Sequence, residues 1–348
     1  MSQNKNIKDR PADKKRMKLA LQGGGSHGAF TWGVLDRVFE DSRLEIEAIV
    51  GTSAGAMNAV VAAYGFASGG GAGARAKLAE FWHAISDVGR TSLLQPSLLD
   101  RMLSLGNMTY SPTYHVADAL SRTISPYQLN PNNVNPLKDI LCKVVDFEYL
   151  HNQKIIEVFV CATNVLTGRL RVFPHDDISP DAIMASACLP HMFQAVEVAG
   201  EYFWDGGYCG NPPIFPLISN VGSKDILLVQ IEPINIPDVP RTSADISDRI
   251  KTLSFNSSLM REMRAIHFVS DLIDKGELDG SKYSRILMHT IDAELELGHL
   301  SASSKLNADM EFITHLFHLG RRKAETFLDA HFDDIGVRGT TDIEAKFM

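Results

Sequence analysis

Cysteine is scarce in this sequence: its 348 residues contain four, and no two of them form a CxxC pair. No histidine stands beside them at zinc-finger spacing, so we expect no structural metal site. So low a thiol content is typical of buried, reduced side chains in a reducing compartment. The four thiols are those of Cys142, Cys161, Cys188 and Cys209.

Positive charge is also in short supply. Lysine and arginine number 34 against 42 aspartate and glutamate residues, a formal net charge of −8. Domains that bind nucleic acid normally present a basic face, so we expect no nucleic-acid partner. The N-terminus is the exception, because residues 1–18 hold seven basic and two acidic residues. We interpret residues 1–16 as a mobile basic tail, and contact with an anionic membrane surface is its functional alternative.

Membrane-spanning and targeting segments are not indicated. The first sixteen residues lack an apolar run, so we expect no cleavable secretory leader. Residues 48–74 carry no charge and are long enough to span a bilayer, but they contain many glycines as well as Thr52, Ser53 and Asn58. This composition favours a buried strand, turn and helix. We expect a soluble cytoplasmic protein, and peripheral contact with a membrane stays an open alternative.

Apolar strands alternate with helical patterns over the first two thirds of the chain, which predicts an α/β fold with a mainly parallel central sheet. After Arg241 the pattern is mainly helical, with one further strand-like run. Residues 68–73 are expected to form a glycine-rich loop. Residues 90–136, with one helical patch, are expected to form either a lid or pocket wall or an irregular surface layer. The expected strands are 17–21, 46–50, 155–162, 170–173, 202–204, 226–231 and 285–291.

The strongest local motif is Gly51-Thr52-Ser53-Ala54-Gly55, a G-x-S-x-G pattern between an apolar strand and a helix of small residues. A serine on a tight strand-to-helix turn adopts a strained backbone conformation, and the residues two before and two after it must lack bulk. The turn also places the serine at a helix N-terminus, where an alkoxide is favoured. Ser53 is therefore the candidate nucleophile.

A glycine-rich loop, Gly23–Gly25 with Gly28, follows the first strand. It matches the dinucleotide fingerprint G-x-G-x-x-G, but such a unit needs an acidic residue at the end of the second strand. Glu45 and Glu47 lie at the start of that strand instead. Backbone amides that converge on a small anion are the better interpretation, and they indicate an oxyanion hole for acyl transfer.

The candidate base is Asp205, which ends a short strand and precedes Gly206 and Gly207. A tight turn would expose its carboxylate at the edge of the sheet, and the aromatic residues around it would raise its pKa through burial. A serine nucleophile more often pairs with histidine, but none of the twelve histidines stands in a conspicuous loop after a strand. The late histidines are His267, His289, His299, His315, His318 and His331.

These three motifs, in this order, closely resemble the patatin-like phospholipase family over about residues 17–217. The Ala185-Ser186-Ala187 stretch with Pro190 is similar to the family's segment before its Asp-Gly motif. His27 departs from the pattern, since the family usually has Arg or Lys there. The resemblance implies a patatin-like three-layer α/β/α domain over residues 17–217. Residues 218–348 would add the last sheet strand or strands and a mostly helical C-terminal extension.

The resemblance also implies the chemistry of a serine lipid acyl hydrolase of the phospholipase A or esterase type. Its substrate would be a phospholipid or another fatty-acyl ester, and it would need no cofactor or metal. Ser53 would be the nucleophile and Asp205 the general base of a dyad. The oxyanion hole would consist of Gly23, Gly24 and Gly25. The supporting glycines would be Gly28, Gly51, Gly55, Gly206 and Gly207.

Three other functions stay open at this point. An α/β-hydrolase-type esterase would use a Ser–His–Asp triad, and one late histidine would then be essential. A non-catalytic regulator would bind a nucleotide through the glycine loop. A catalytically silent scaffold would bind lipid, although an intact Ser53 and Asp205 argue against it.

Overall fold

The computed structural model describes residues 14–92, 94–104, 106–218, 222–279 and 282–348. Within these ranges eight strands form one sheet. The strands are β1 (Lys15–Leu21), β2 (Leu44–Gly51), β3 (Glu157–Asn164), β4 (Leu170–Phe173), β5 (Val196–Val198), β6 (Glu201–Asp205), β7 (Asp225–Gln230) and β8 (Leu287–Asp292).

Helices of the described residues connect these strands and cover the sheet. The α-helices are α1 (Gly28–Glu40), α2 (Ala54–Thr91), α3 (Leu98–Leu103), α4 (Pro112–Thr123), α5 (Pro126–Leu129), α6 (Pro136–Val144), α7 (Phe147–Asn152), α8 (Pro180–Ser186), α9 (Phe215–Ile218), α10 (Ser243–Asp274), α11 (Glu294–Leu297), α12 (Met310–His331) and α13 (Ile343–Phe347). Short 3₁₀ helices lie at Gly25–His27, His175–Asp177, Gly206–Tyr208, Ala302–Leu306 and Phe332–Asp334.

The strand order is β5-β6-β3-β2-β1-β7-β8, and β4 also pairs with β3. Strands β3, β2, β1, β7 and β8 are parallel, whereas β4, β5 and β6 run antiparallel to their neighbours. The prediction of an α/β fold with a mainly parallel sheet is confirmed. Because parallel strands end at one edge of a sheet, the loops after β1 and β2 lie side by side.

The two faces of the sheet carry separate apolar layers. Residues Leu19 and Leu21 of β1 face the layer that contains α1, α2 and α12, while Ala20 faces the layer of α10 and α13. This alternation follows from the two-residue period of a strand. Helix α12 packs so closely on α1 that a Cβ on Gly33 would overlap the carbonyl of Phe317. The result is a three-layer α/β/α arrangement.

Several local features differ from the sequence predictions. The expected loop at 68–73 is part of α2, which is kinked at Gly69 and Gly70; Gly70 has a φ of 61°. The described part of residues 90–136 contains three helices, α3 to α5, where the sequence predicts one helical patch. Strand β5 was missed because it has only three residues.

The tail expected over residues 1–16 lies mostly outside the described residues, and its membrane contact stays a prediction. Lys15 and Arg16 belong to β1, where they pair with Leu44 and Glu45 of β2. The Lys15 ammonium donates hydrogen bonds to the carbonyls of Asp333 and Ile335. No helix in the described ranges is both long enough and apolar enough to cross a membrane.

Candidate active site

Ser53 occupies the turn between β2 and α2 and has a φ of 54° and a ψ of −122°. Few residues other than glycine adopt such a conformation, which costs on the order of 1–3 kcal/mol. The turn is tight because a Cβ on Gly51 would overlap the backbone of Gly55, and one on Gly55 would overlap the carbonyl of Leu21. The two glycines of the motif are therefore required sterically, as the sequence predicted.

The backbone around Ser53 is held from outside its own motif. Its amide donates a hydrogen bond to the hydroxyl of Ser186 at 2.9 Å. The neighbouring Thr52 hydroxyl donates to the carbonyl of Gly210 at 2.7 Å. These bonds tie the turn to α8 and to the segment that follows Asp205.

The glycine loop lies against this turn. A Cβ on Gly23 would come within 2.7 Å of the Ser53 Cβ, and one on Gly28 within 2.8 Å of the Ala54 Cβ. The Gly23 amide already donates to Asn211 Oδ1 at 2.7 Å. Within the described residues, the Gly24 and Gly25 amides have no protein acceptor. Gly24 and Gly25 are therefore the loop's unoccupied donors, whereas the Gly23 amide is already hydrogen-bonded to Asn211.

The pairing of the sheet strands places Asp205 close to Ser53. Val160 of β3 pairs with Gly51, and Ala162, two residues further on, pairs with Asp205. Ser53 is likewise two residues beyond Gly51, so the two side chains stand at the same level of the sheet. The turn after Asp205 is compact, because a Cβ on Gly206 would meet the carbonyl of Cys161 and one on Gly207 the Phe255 ring.

The Asp205 carboxyl is fully buried. Its Oδ1 accepts a hydrogen bond from the Gly207 amide at 2.7 Å, while Oδ2 has no partner of hydrogen-bond geometry among the described residues. Burial raises the pKa of Asp205 to about 7, against the opposing effects of the Gly207 amide and the nearby Ser53 hydroxyl. Oδ2 is thus a buried acceptor available to a proton from Ser53, a contact that commonly tightens when substrate binds.

Ser53, Asp205, Gly24 and Gly25 line one cavity of about 500 Å³. Its remaining surface is mostly apolar, which suits a hydrocarbon chain. The large apolar side chains of its wall are those of Met57, Phe81, Trp82, Ile85, Leu94, Leu137, Leu189, Met192, Phe193, Phe255 and Leu306.

Histidine is absent from the described residues that line this cavity. His27 is buried behind the glycine loop, with Nε2 2.7 Å from the Ser304 hydroxyl. Burial, and then the charge of Lys305, lowers the pKa of His27 to about 3, so its imidazole is neutral. His289 is buried elsewhere, with Nε2 3.0 Å from Asp225. The described residues also show no cluster of side chains that would hold a metal ion.

Sequence reasoning missed four residues of the site: Ser186, Asn211, Glu232 and Lys305. Ser186 lies within the Ala185-Ser186-Ala187 motif, which does not indicate what it contacts, and the other three residues lie in no recognisable pattern. Glu232 and Lys305 line the cavity and form an ion pair, with Nζ 2.6 Å from Oε1. Lys305 comes from the C-terminal part of the chain, more than 250 residues after Ser53 in the sequence.

The patatin-like phospholipase family model matches residues 19–218, more than half of the chain. The protein therefore belongs to the patatin-like phospholipase family, and membership implies a lipid acyl hydrolase that acts on carboxylic esters. No curated protein matches the chain in sequence.

Solved structures with a similar chain trace include two bacterial proteins. VipD from Legionella pneumophila is 17% identical, with a TM-score of 0.46 over 92% of this chain and 67% of VipD. ExoU in the ExoU–SpcU complex from the type III secretion system of Pseudomonas aeruginosa is 16% identical, with a TM-score of 0.42 over 92% of this chain and 53% of ExoU. This chain thus spans about two thirds of VipD and about half of ExoU.

Proposed function

We propose that this protein hydrolyses fatty-acyl esters, phospholipids among them, through a Ser53–Asp205 dyad and an acyl-enzyme intermediate. The observation that carries the proposal is the placement of Ser53 and the fully buried Asp205 carboxyl on one apolar cavity without a histidine among its described lining residues. A triad esterase would need an imidazole at this place.

In the acylation step Ser53 Oγ attacks the ester carbonyl carbon, and its proton passes to Asp205 Oδ2. The carbonyl oxygen becomes an oxyanion that accepts hydrogen bonds from the Gly24 and Gly25 amides. When the tetrahedral intermediate collapses, the bond to the leaving alcohol breaks and Asp205 returns the proton to that alcohol. Water then attacks the acyl-enzyme with Asp205 again as base, which releases the fatty acid and restores Ser53.

The perturbed pKa of Asp205 makes this histidine-free scheme workable near neutral pH. An exposed aspartate, with a pKa near 3.9, is a weak base for a serine hydroxyl. Burial raises the pKa of Asp205 to about 7, so its carboxylate is a stronger base that is still partly ionised at neutral pH. Activity should rise with pH through this range as Asp205 loses its proton.

A fluorophosphonate probe tests the nucleophile directly. Ser53 Oγ would form a bond to phosphorus while the P–F bond breaks and fluoride leaves. Mass spectrometry of the digested protein should locate the adduct on Ser53 and find none in Ser53→Ala. Ser26→Ala is the matched control, because Ser26 lines the same cavity and its loss should leave labelling intact. An adduct on Ser26, or labelling that survives in Ser53→Ala, would refute the assignment.

The same protein sample separates the proposal from its alternatives. Turnover of a medium-chain fatty-acyl ester that is lost in Ser53→Ala supports the hydrolase. Micromolar binding of NAD or ATP without ester turnover would instead indicate the nucleotide-binding regulator. Lipid binding without an adduct or turnover would indicate the silent scaffold.

A further inference from the structure

A partly buried ion pair lies beside the glycine loop and has no part in the dyad scheme. The Lys305 ammonium contacts both carboxylate oxygens of Glu232, at 2.6 and 2.8 Å. The Glu232 side chain is 1% exposed and that of Lys305 26%. Glu232 stands two residues after β7 ends, and Lys305 lies in the 3₁₀ helix Ala302–Leu306. Both line the cavity that contains Ser53 and Asp205.

The pair is in contact with the loop as well as with the cavity. A Cβ on Gly24 would come within 3.2 Å of Glu232 Oε1, and one on Gly25 would overlap the carbonyl of Lys305. The adjacent Ser304 hydroxyl is 2.7 Å from Nε2 of His27, two residues after Gly25. Two segments from beyond residue 218, where the family model ends, therefore contact the loop: Glu232 lies against Gly24 and Lys305 against Gly25.

His27 cannot supply positive charge here, because the pKa of this buried imidazole is lowered to about 3. Among the described residues that line the cavity, Asp205, Glu232 and Lys305 are the charged ones. Lys305, whose backbone and Cβ lie against Gly25, is thus the cationic residue of the described cavity wall. Fixed charges act strongly in such a site, since little water screens them.

We propose that Lys305 supports acyl transfer electrostatically: held by Glu232 beside Gly24 and Gly25, its ammonium stabilises the negative charge that develops on the substrate's carbonyl oxygen at the glycine loop. This inference rests on the hydrolase function proposed above. It assigns the C-terminal region a part in the reaction. The positive charge beside the glycine loop then comes from Lys305, since His27 is neutral.

The pair also faces Asp205, which provides a readout that a merely structural role would not move. The positive charge of Lys305 lowers the pKa of Asp205, and the negative charge of Glu232 raises it. The other titratable neighbours, Cys161, Cys188 and Tyr208, stay protonated near neutral pH because burial raises their pKa values. Removal of one partner of the ion pair should therefore move the ionisation of Asp205 in a known direction.

The experiment measures the second-order rate of fluorophosphonate labelling at Ser53 from pH 5 to 9, together with kcat and KM for a short aryl ester. Lys305→Met should reduce kcat at least tenfold with KM changed less than about threefold, and should move the rising limb of the labelling profile to higher pH. Glu232→Gln should move that limb to lower pH. Lys305→Arg, which keeps the charge, should recover most of the lost rate.

A double variant, Lys305→Met with Glu232→Gln, removes both charges and leaves no buried ion unpaired. In this double variant, fluorophosphonate should label Ser53 at a reduced rate, with the midpoint of the pH profile close to the wild-type value. This result would show that the rate falls because the ammonium is lost and not because a single variant misfolds. Thermal unfolding confirms that each variant is folded. The inference would be overturned if Lys305→Met or the double variant labelled and turned over substrate at the wild-type rate. It would also be overturned if the rate fell but the rising limb of the labelling profile did not shift in either single variant. If wild-type Ser53 forms no adduct, the proposed function fails, and this inference fails with it.

Discussion

The backbone amide of Ser53 donates its hydrogen bond to the hydroxyl of Ser186, at a distance of 2.9 Å and out of contact with solvent. Ser186 is the last residue of α8, so a helix that is remote in sequence holds the strained turn. An unsatisfied buried amide costs about 1–3 kcal/mol, which is comparable to the strain stored in the turn. The conformation of the candidate nucleophile thus depends on a residue outside the cavity.

We predict that Ser186→Ala lowers kcat for ester hydrolysis by about tenfold or more, because the Ser53 turn can then relax away from its strained conformation. The KM should change little, since the apolar cavity wall is untouched. Steady-state kinetics on a short ester measure both values. Ser179→Ala is the matched control: the Ser179 side chain caps the other end of α8, so its loss should reduce stability by about 1 kcal/mol without a specific fall in kcat.

Replacement of the candidate base should remove proton transfer but keep binding. We predict that Asp205→Asn lowers kcat by several orders of magnitude with KM within a few-fold of wild type. In the wild-type protein, kcat/KM should rise with pH through about 7, where Asp205 loses its proton. A pH–rate profile without a limb in that region would show that Asp205 is not the base.

The same substitution should make the protein more stable at alkaline pH. Because burial raises the pKa of Asp205 to about 7 in the folded state, from about 3.9 when unfolded, the contribution of Asp205 to stability is greatest below pH 4 and is lost as pH rises through about 7. Asp205→Asn carries no charge and avoids this loss. We expect its melting temperature to exceed that of wild type by several degrees at pH 8, with the difference vanishing near pH 4. An equal difference at both pH values would contradict the raised pKa.

Replacement of one glycine by alanine, which adds a single methyl group, tests how little space the Ser53 turn leaves. A Cβ on Gly55 would overlap the carbonyl of Leu21, whereas one on Gly69 would meet nothing within 4 Å. We therefore predict that Gly55→Ala destabilises the fold by several kcal/mol, since the overlapping atom is rigid backbone. Gly69→Ala should be nearly neutral. Denaturant unfolding measures both, and similar midpoints for the two variants would refute this account.

None of the late histidines should be required for turnover. We predict that His315→Ala retains kcat/KM within twofold, because its side chain is exposed and lines a different pocket from Ser53. His289→Asn should lower the melting temperature, as the buried contacts of His289 with Asp225 and Thr340 are disturbed. Its kcat/KM per folded molecule should stay near the wild-type value. Loss of turnover in folded His315→Ala would favour the triad esterase.

Local sequence was informative wherever short-range sterics decide the structure. Apolar runs placed β1, β2 and β7 to within a few residues, because a buried strand needs a continuous apolar segment. The spacing of Gly51 and Gly55 around Ser53 identified the tight turn. The exception was the glycine run at 68–73, where helix α2 continues through a kink instead of opening into a loop.

Pairing of residues that are distant in the chain could not be predicted in this way. The Gly23 amide looks like an oxyanion donor in sequence, but Asn211 takes its hydrogen bond, which only the folded chain brings near. Glu232 and Lys305 lie in no motif, and their ion pair at the cavity forms because β7 and the Ala302–Leu306 turn end beside the glycine loop.

The sequence alone determined the parallel α/β architecture, the strained Ser53 turn and the family, since each depends on patterns within a few tens of residues. The tertiary structure decided which groups surround that turn and in what state. It buried Asp205 and so raised its pKa to about 7, neutralised His27, and placed Lys305 beside the loop. Desolvation and the field of neighbouring charges depend on which groups are close in space. The order of residues along the chain does not show which distant residues come close.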